Sequence, residues 1–282
     1  MSVTWMNHDV VAIEALRLRT RSLPLATGVT VQYVTQGEPH EPWDVPVVFL
    51  HGLSDSWRSF EQVLGLMPDQ QAIALTQRGH GQATQPRYGY AAADFSADLS
   101  AFLDALRIPR AILVGHSMGS TVVQRFAIDH PERVAGLVLF GANATWKGNP
   151  LVTELWDNVV SHLTDPVDPD FVRAFQSSDR IPAERLELII AESLPVPART
   201  WQEVGRAMLA ADFADELPRI TAPALVIWGM EDPLCSEEEQ ERLCTLMPHA
   251  ELLGYPDAGH NLHWEHPERF AVDLRDFLAR IG

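Results

Sequence analysis

The sequence predicts an α/β protein: a doubly wound, mostly parallel sheet with helices on both faces and a helical insertion in the middle of the chain. Three observations carry this. Short β-branched apolar runs alternate with longer amphipathic patterns along most of the 282 residues. Several of the runs are apolar at consecutive positions, as strands covered on both faces require. One proline-punctuated stretch, 143–215, breaks the alternation with helical patterns alone.

Residues 10–18 fit a short amphipathic helix with no evident role. Strands are expected at 29–34, 45–50 and 71–75, then a helix at 94–106. That helix places Phe95, Leu99, Phe102, Leu103 and Leu106 on one face. A strand at 111–115, a helix at 117–130 and a strand at 134–140 follow. The insertion 143–215 holds Trp146, Trp156, Trp201, Phe171 and Phe175 between Pro150, Pro166, Pro169, Pro182, Pro195 and Pro197. Its aromatics are expected to pack it onto the body, with Trp146, Trp156 and Trp201 lining an apolar pocket. A strand at 224–228, a helix at 237–247 with an acidic first turn, and a strand at 250–253 come next. The last helix, 267–281, repeats Phe270, Leu274, Phe277 and Leu278 on one face. The expected domains are a core of 1–142 and 216–282 and a cap of 143–215.

Composition narrows the functions. Hydrophobic residues make up 46% and charged residues 21%, enough for a sizeable core. The formal charge of −17 repels phosphate backbones and anionic lipid, so neither nucleic acid nor membrane is an expected partner. Lys147 is the single lysine and no glycine-rich run precedes it, which excludes a P-loop. Cys235 and Cys244, nine residues apart on a predicted helix, lie too far apart to bridge. No signal-peptide pattern opens the chain, and no apolar run approaches the ~20 residues of a membrane span. A cytoplasmic monomer or homodimer acting on a small molecule is expected.

The strongest motif is Gly115-His116-Ser117-Met118-Gly119, between a predicted strand and a predicted helix. In that context the spacing describes a nucleophile elbow. A turn tight enough to expose a serine above a strand end strains its backbone and tolerates only small residues two positions either side. The helix start behind it offers N–H groups to a developing oxyanion. His260, after the last strand, is the candidate base. His51 and His80 read as structural loop residues, and His116 points away from the elbow. His260, His263 and His266 do not share one helical face, so no metal is expected there. Asp232, in Gly229-Met230-Glu231-Asp232-Pro233, is the candidate orienting acid, with Glu231 as its rival. Chain order is then Ser117, Asp232, His260. In His51-Gly52-Leu53-Ser54-Asp55-Ser56, the backbone N–H of Leu53 pairs with that of Met118 as the expected oxyanion hole, their side chains facing the acyl pocket.

These motifs, with Arg78-Gly79-His80-Gly81 and Gly259-His260…Glu265-His266-Pro267-Glu268, resemble the α/β-hydrolase superfamily from about residue 29 to 281. The resemblance implies an eight-stranded sheet with one antiparallel strand, a helical cap after the sixth strand, and no cofactor. It implies Ser117 as nucleophile, Asp232 as acid, His260 as base, and Leu53 and Met118 as the hole. Thr76, Ala83 and Ser120 depart from the family's common Asp, Ser and Gly at the matching places.

The expected activity is hydrolysis of a carboxylic ester or lactone of a small, fairly hydrophobic substrate through an acyl-enzyme. The elbow carries Ser where aspartyl-type dehalogenases and epoxide hydrolases carry Asp. Two alternatives stand. Carbon–carbon hydrolases of ring-fission products share the Trp264-Glu265-His266 portion, although Asn261 and His116 depart from them. A ligand sensor on the same fold would keep the same residues for binding.

Overall fold

The computed structural model of the chain describes residues 18–37 and 45–282. The helix expected at 10–18 lies outside these residues except for Leu18. Eight strands form one sheet: β1 (Arg21–Pro24), β2 (Thr30–Gln36), β3 (Val47–Leu50), β4 (Ala72–Thr76), β5 (Ala111–His116), β6 (Val134–Phe140), β7 (Ala224–Gly229) and β8 (Ala250–Tyr255). Their spatial order is β1-β2-β4-β3-β5-β6-β7-β8. Only β2 runs against its neighbours, pairing antiparallel with both β1 and β4; every other pair is parallel.

Every residue of β3, β4, β5 and β7 is buried, which explains their unbroken apolar runs. Alternate side chains feed two separate cores. Val48, Leu50, Leu113 and Leu139 face one layer, with Phe95, Leu99 and Phe102 of α2 (Ala92–Ala105) and Val122 and Phe126 of α3 (Met118–Asp129). Val47, Phe49, Val114 and Phe140 face the other. That layer comprises α1 (Glu61–Leu66), α9 (Leu262–Glu265) and α10 (Pro267–Ile281), the last contributing Phe270, Leu274 and Phe277. The remaining body helix is α8 (Glu237–Leu246), opened by Ser236 and three glutamates. Cys235 lies just before it rather than on it, and both cysteines are free thiols.

β1 was not anticipated. Its sequence, Arg-Ser-Leu-Pro, is an exposed edge strand with no apolar run to mark it. Between β6 and β7 the chain forms α4 (Pro150–Asn158), α5 (Pro169–Gln176), α6 (Ala183–Ser193) and α7 (Ala198–Ala210). Four of the prolines that punctuate this stretch mark helix starts: Pro150 and Pro169 sit at the first helical position behind Asn149 and Asp168 caps, and Pro182 and Pro197 immediately precede α6 and α7. Val172, Ile190, Val196 and Trp201 make a small core of its own, against which Leu53 of the body packs. The two ends of the stretch are tied together where Trp146 N–H donates to Ala211 O and Phe213 N–H to Ala144 O, both at 3.1 Å. No helix among the described residues is long and apolar enough to cross a membrane.

Candidate active site

β5 and α3 meet at Ser117, whose φ of 50° and ψ of −114° place a non-glycine residue in the sparsely populated left-handed half of the map. Such a conformation costs roughly 1–3 kcal/mol and persists only where the surroundings enforce it. Here close packing does so. A Cβ on Gly119 would overlap the Leu50 carbonyl, and one on Gly115 would lie 2.6 Å from the Gly119 carbonyl oxygen. The β3 loop therefore abuts the elbow, and Gly52 stands where a Cβ would be 3.3 Å from that of Ser117.

The candidate acid and base converge through crossed loops. Met230 N–H donates to Tyr255 O and Glu231 N–H to Ala258 O, both at 2.9 Å, joining the turn after β7 to the turn after β8. Asp232, on the first, accepts from His260 Nδ1 at 2.7 Å and from Leu234 N–H at 2.8 Å. Burial pushes the Asp232 pKa up, but the His260 charge and hydrogen bond, with Leu234 and the Cys235 thiol, outweigh it and hold the carboxyl below its usual value. Burial likewise pushes His260 down; Asp232, helped by Asp55 and Glu265, overcomes this and raises the imidazole above its usual range. The ligand-like grouping Asp232, Cys235 and His260 is thus a hydrogen-bonded chain, with a thiol that burial pushes well above its usual pKa. Space for the ring comes from Gly141, at φ 55°, where a Cβ would sit 2.8 Å from His260 Cε1. Glu231, the rival acid, pairs with Arg180 instead.

Ser117 and His260 line one cavity of about 560 Å³. Leu53, Trp146, Val152, Leu155, Trp156 and Met208 give it apolar walls, and Asp179, Arg180, Glu231, Asn261 and Glu265 add polar and charged groups. Trp146 and Trp156 both line this cavity. Trp201 does not: it is fully buried against Phe171 and Phe175, at 5.2 and 4.8 Å between ring centres, inside the insertion's own core. Met118 is the first residue of α3, whose opening N–H groups have no acceptor within the helix. Its side chain, expected at the acyl pocket, is instead buried with Phe95, Val122 and Val204, because the first turn of α3 directs it into the layer shared with α2.

Four further histidines, His51, His80, His116 and His263, are buried within the body. His51 Nε2 accepts from Gln77 N–H at 3.0 Å, and Gln77 Nε2 donates to His51 O at 2.9 Å. These two bonds brace the Arg78-Gly79-His80-Gly81 loop, while Thr76 Oγ1 accepts from Trp57 N–H at 3.1 Å. His116 stacks on Phe140 and donates from Nε2 to the His260 carbonyl at 3.1 Å, bracing the His260 loop. Burial lowers His116 to about 3 and His80 to about 4, and holds His51 and His263 well below the usual imidazole value, so all four are neutral.

Sequence reasoning gave no role to Glu265, which accepts from Gly259 N–H at 2.7 Å and fixes the loop bearing the base. It also passed over Asp55, a buried carboxyl that accepts from Ser59 Oγ at 3.2 Å and Gln176 Nε2 at 3.4 Å. Burial, opposed by those two hydrogen bonds and by His260 and Arg185, raises Asp55 to about 7.

Comparison with known proteins agrees with this architecture. The family described as alpha/beta hydrolase fold matches residues 45–267. A relative in Variovorax paradoxus, provisionally named carbamate hydrolase RutD, is 33% identical over 262 residues, 87% of this chain and 96% of that one. A 2-hydroxy-6-oxononadienedioate/2-hydroxy-6-oxononatrienedioate hydrolase of Burkholderia vietnamiensis is 28% identical over 270 residues, 90% of this chain and 92% of that one. Among solved structures, the esterase RhEst1 from Rhodococcus sp. ECU1013 superposes with a TM-score of 0.80 at 25% identity, covering 93% of this chain and 99% of that one. With its elbow, its single antiparallel strand and a family match across most of its length, the chain belongs to the α/β-hydrolase fold family and is a hydrolase.

Proposed function

We propose that the chain hydrolyses a carboxylic ester or lactone of a small, largely apolar substrate, with Ser117 as nucleophile, His260 as base and Asp232 as its orienting acid. The observation that carries this is the 2.7 Å Asp232–His260 bond beside a strained Ser117 in a shared, mostly apolar cavity. His260 Nε2 takes the Ser117 proton as Oγ attacks the carbonyl, and the N–H groups of Leu53 and Met118 hold the oxyanion. His260 then protonates the leaving alcohol, and an acyl-enzyme remains. Water repeats the sequence and releases the acid. Asp232 holds the imidazole with its proton on Nδ1 and stabilises the imidazolium that forms twice per cycle.

A second reading, cleavage of a carbon–carbon bond in a dicarboxylate ring-fission product, draws on the Burkholderia relative, whose name specifies a dienedioate. The cavity favours the ester. Among its described lining residues Arg180 is the single arginine or lysine, it is paired with Glu231, and Asp179 and Glu265 add negative charge. A dianion meets repulsion there that a neutral ester does not.

The test is turnover of p-nitrophenyl esters and of a dienedioate by the wild type and Ser117→Ala. Ester turnover that the substitution abolishes supports the proposal. Ester hydrolysis that survives it unchanged, or turnover confined to the dienedioate, rejects it.

A further inference from the structure

Asp55 has no part in the mechanism above, yet it forms the wall between two cavities. It lines the chamber that holds Ser117 and His260 and also a second cavity of about 300 Å³. That second cavity lies between the 3-10 turn Trp57–Phe60 and α6, where Ser56, Arg58, Ser59, Glu61, Arg185 and Glu192 place polar groups beside the apolar Leu188, Ile189, Ala191 and Trp264. An acyl-enzyme whose acyl group fills the main chamber still needs water at its carbonyl carbon, and a cavity behind that wall with several polar side chains offers water both room and hydrogen-bond partners.

The geometry of Asp55 suits an acceptor facing that water. Its side chain is 5% exposed. Its two hydrogen bonds, from Ser59 and Gln176, are long at 3.2 and 3.4 Å and go to different oxygens. A carboxylate offers about four lone-pair sites, so acceptor capacity remains. The titratable and charged groups around it are His116 at the end of β5, 3.9 Å away, His260 and His263 from the C-terminal loop and α9, Arg58 and Glu61 from the turn and α1, and Arg185 and Glu192 from α6.

We propose that Asp55 is a positioning residue for deacylation, ordering the hydrolytic water beside His260. This rests on the acyl-enzyme reading given above. The water oxygen bonds to the acyl carbon while one of its protons passes to His260 Nε2. The other proton, hydrogen-bonded to the Asp55 carboxylate, stays on the hydroxyl of the new acid. As the tetrahedral intermediate collapses, the bond from carbon to Ser117 Oγ breaks, and the His260 proton moves to that oxygen. Asp55 neither gains nor loses a proton. It accepts best when ionised, and its carboxyl titrates at about 7, so the ordering strengthens across neutral pH.

Competition between water and methanol for the acyl-enzyme isolates this role. Methanol has one hydroxyl proton, His260 takes it, and none is left for Asp55. Both acceptors need the same base, so the ionisation of His260 cancels in the product ratio. The measurement is the ratio of methyl ester to free acid formed from a p-nitrophenyl ester in dilute methanol between about pH 6 and about pH 9. In the wild type this ratio should fall several-fold as the pH rises through neutrality. In Asp55→Asn it should stay flat, about tenfold above the wild type at the alkaline end, as loss of one hydrogen bond to a charged group implies. A flat wild-type ratio overturns the proposal without any variant, and so does an Asp55→Asn ratio that follows the wild type. If Ser117→Ala hydrolyses the same ester as fast as the wild type, the acyl-enzyme reading itself is rejected and takes this proposal with it.

Discussion

The two halves of the cavity are built by different means. On the sheet side, backbone geometry sets the site: Gly115, Gly119 and Gly52 are there because no Cβ fits, and Ser117 is strained because its neighbours leave it no alternative. On the side of the insertion, side chains do the work. Trp146, Leu155, Trp156 and Met208 form an apolar vault, and Arg180 meets Glu231 across the opening. Backbone-built sites tolerate no change in position but say little about substrate, whereas side-chain-built walls can be exchanged and set specificity. Substitutions on the sheet side should therefore alter kcat, and those on the insertion side KM.

The largest effects belong to the sheet side. Ser117→Ala or His260→Ala should lower kcat by about 10⁴-fold or more, with KM and melting temperature close to wild type, as steady-state kinetics and thermal denaturation would read. Asp232→Asn should cost about 10⁴ as well, by favouring the wrong tautomer. Because His260 must be neutral to act as base and its pKa is raised, the acid limb of kcat/KM should lie above the free imidazole value of 6.5. A limb at or below 6.5 would show that Asp232 does not govern the base.

Next in size is a stability effect where the two halves touch, since Asp55 of the body is held by Gln176 of α5. Its folded pKa of about 7 lies above the usual 3.8, so between those limits the folded chain binds a proton that the unfolded chain releases. Stability from this group is complete below pH 3.8 and is lost as the pH rises toward 7. Asp55→Asn removes that loss and should gain up to roughly 4 kcal/mol relative to wild type at mildly alkaline pH. Urea melts at acid and alkaline pH would measure it. The neutral histidines His51, His80, His116 and His263 act in the opposite sense. Unfolding lets them protonate, so each withdraws up to ~1.4 kcal/mol per pH unit as the pH falls below 6.5.

The same contrast explains what could be read from the sequence. Ser117, Asp232 and His260 were legible because a strand, a tight turn and a loop with no room for Cβ atoms leave glycines at fixed spacings, and those spacings are local. The central strands β3, β4, β5 and β7 were legible because burial on both faces writes an unbroken apolar run; β1, exposed at the edge, writes none. Trp201 was misplaced because an aromatic on an amphipathic helix has the same pattern whether it faces the cavity or a small core of neighbouring helices. Asp55 carried no signal at all. Two groups that define its chemistry, Gln176 and His116, are 121 and 61 positions away, and only folding brings them together.

On the insertion side, Trp156→Ala should enlarge the chamber. Trp156 rests on Gly205, where a Cβ would lie 3.0 Å from the indole, so that neighbour has no side chain to move into the space. Removing a ring from an apolar wall loses on the order of 1–3 kcal/mol of binding for a short acyl chain and relieves crowding for a long one. KM for short-chain esters should rise about tenfold or more and preference should move toward longer chains, with kcat within about threefold. A drop of kcat by orders of magnitude would break the division between the two halves.

The smallest effect tests the opening itself. Arg180 and Glu231 are half-exposed, and such a pair contributes about 0–1 kcal/mol to folding, so Glu231→Gln should leave the melting temperature almost unchanged. Its effect on substrate choice follows from charge. With Glu231 neutralised, Arg180 keeps its positive charge a short distance from Gly259 and the His260 loop, where Arg180 Nη1 stands 3.7 Å from an ideal Gly259 Cβ. An ester whose leaving group carries a free carboxylate then meets a partner for its charge instead of an occupied one. KM for such anionic esters should fall by about threefold to tenfold, while KM for their neutral counterparts holds. The gain should fade with added salt, because the pair is open to solvent. Equal changes for neutral and anionic esters would mean that Glu231 shapes the opening by packing and not by charge, and that the acidic rim does not select the substrate.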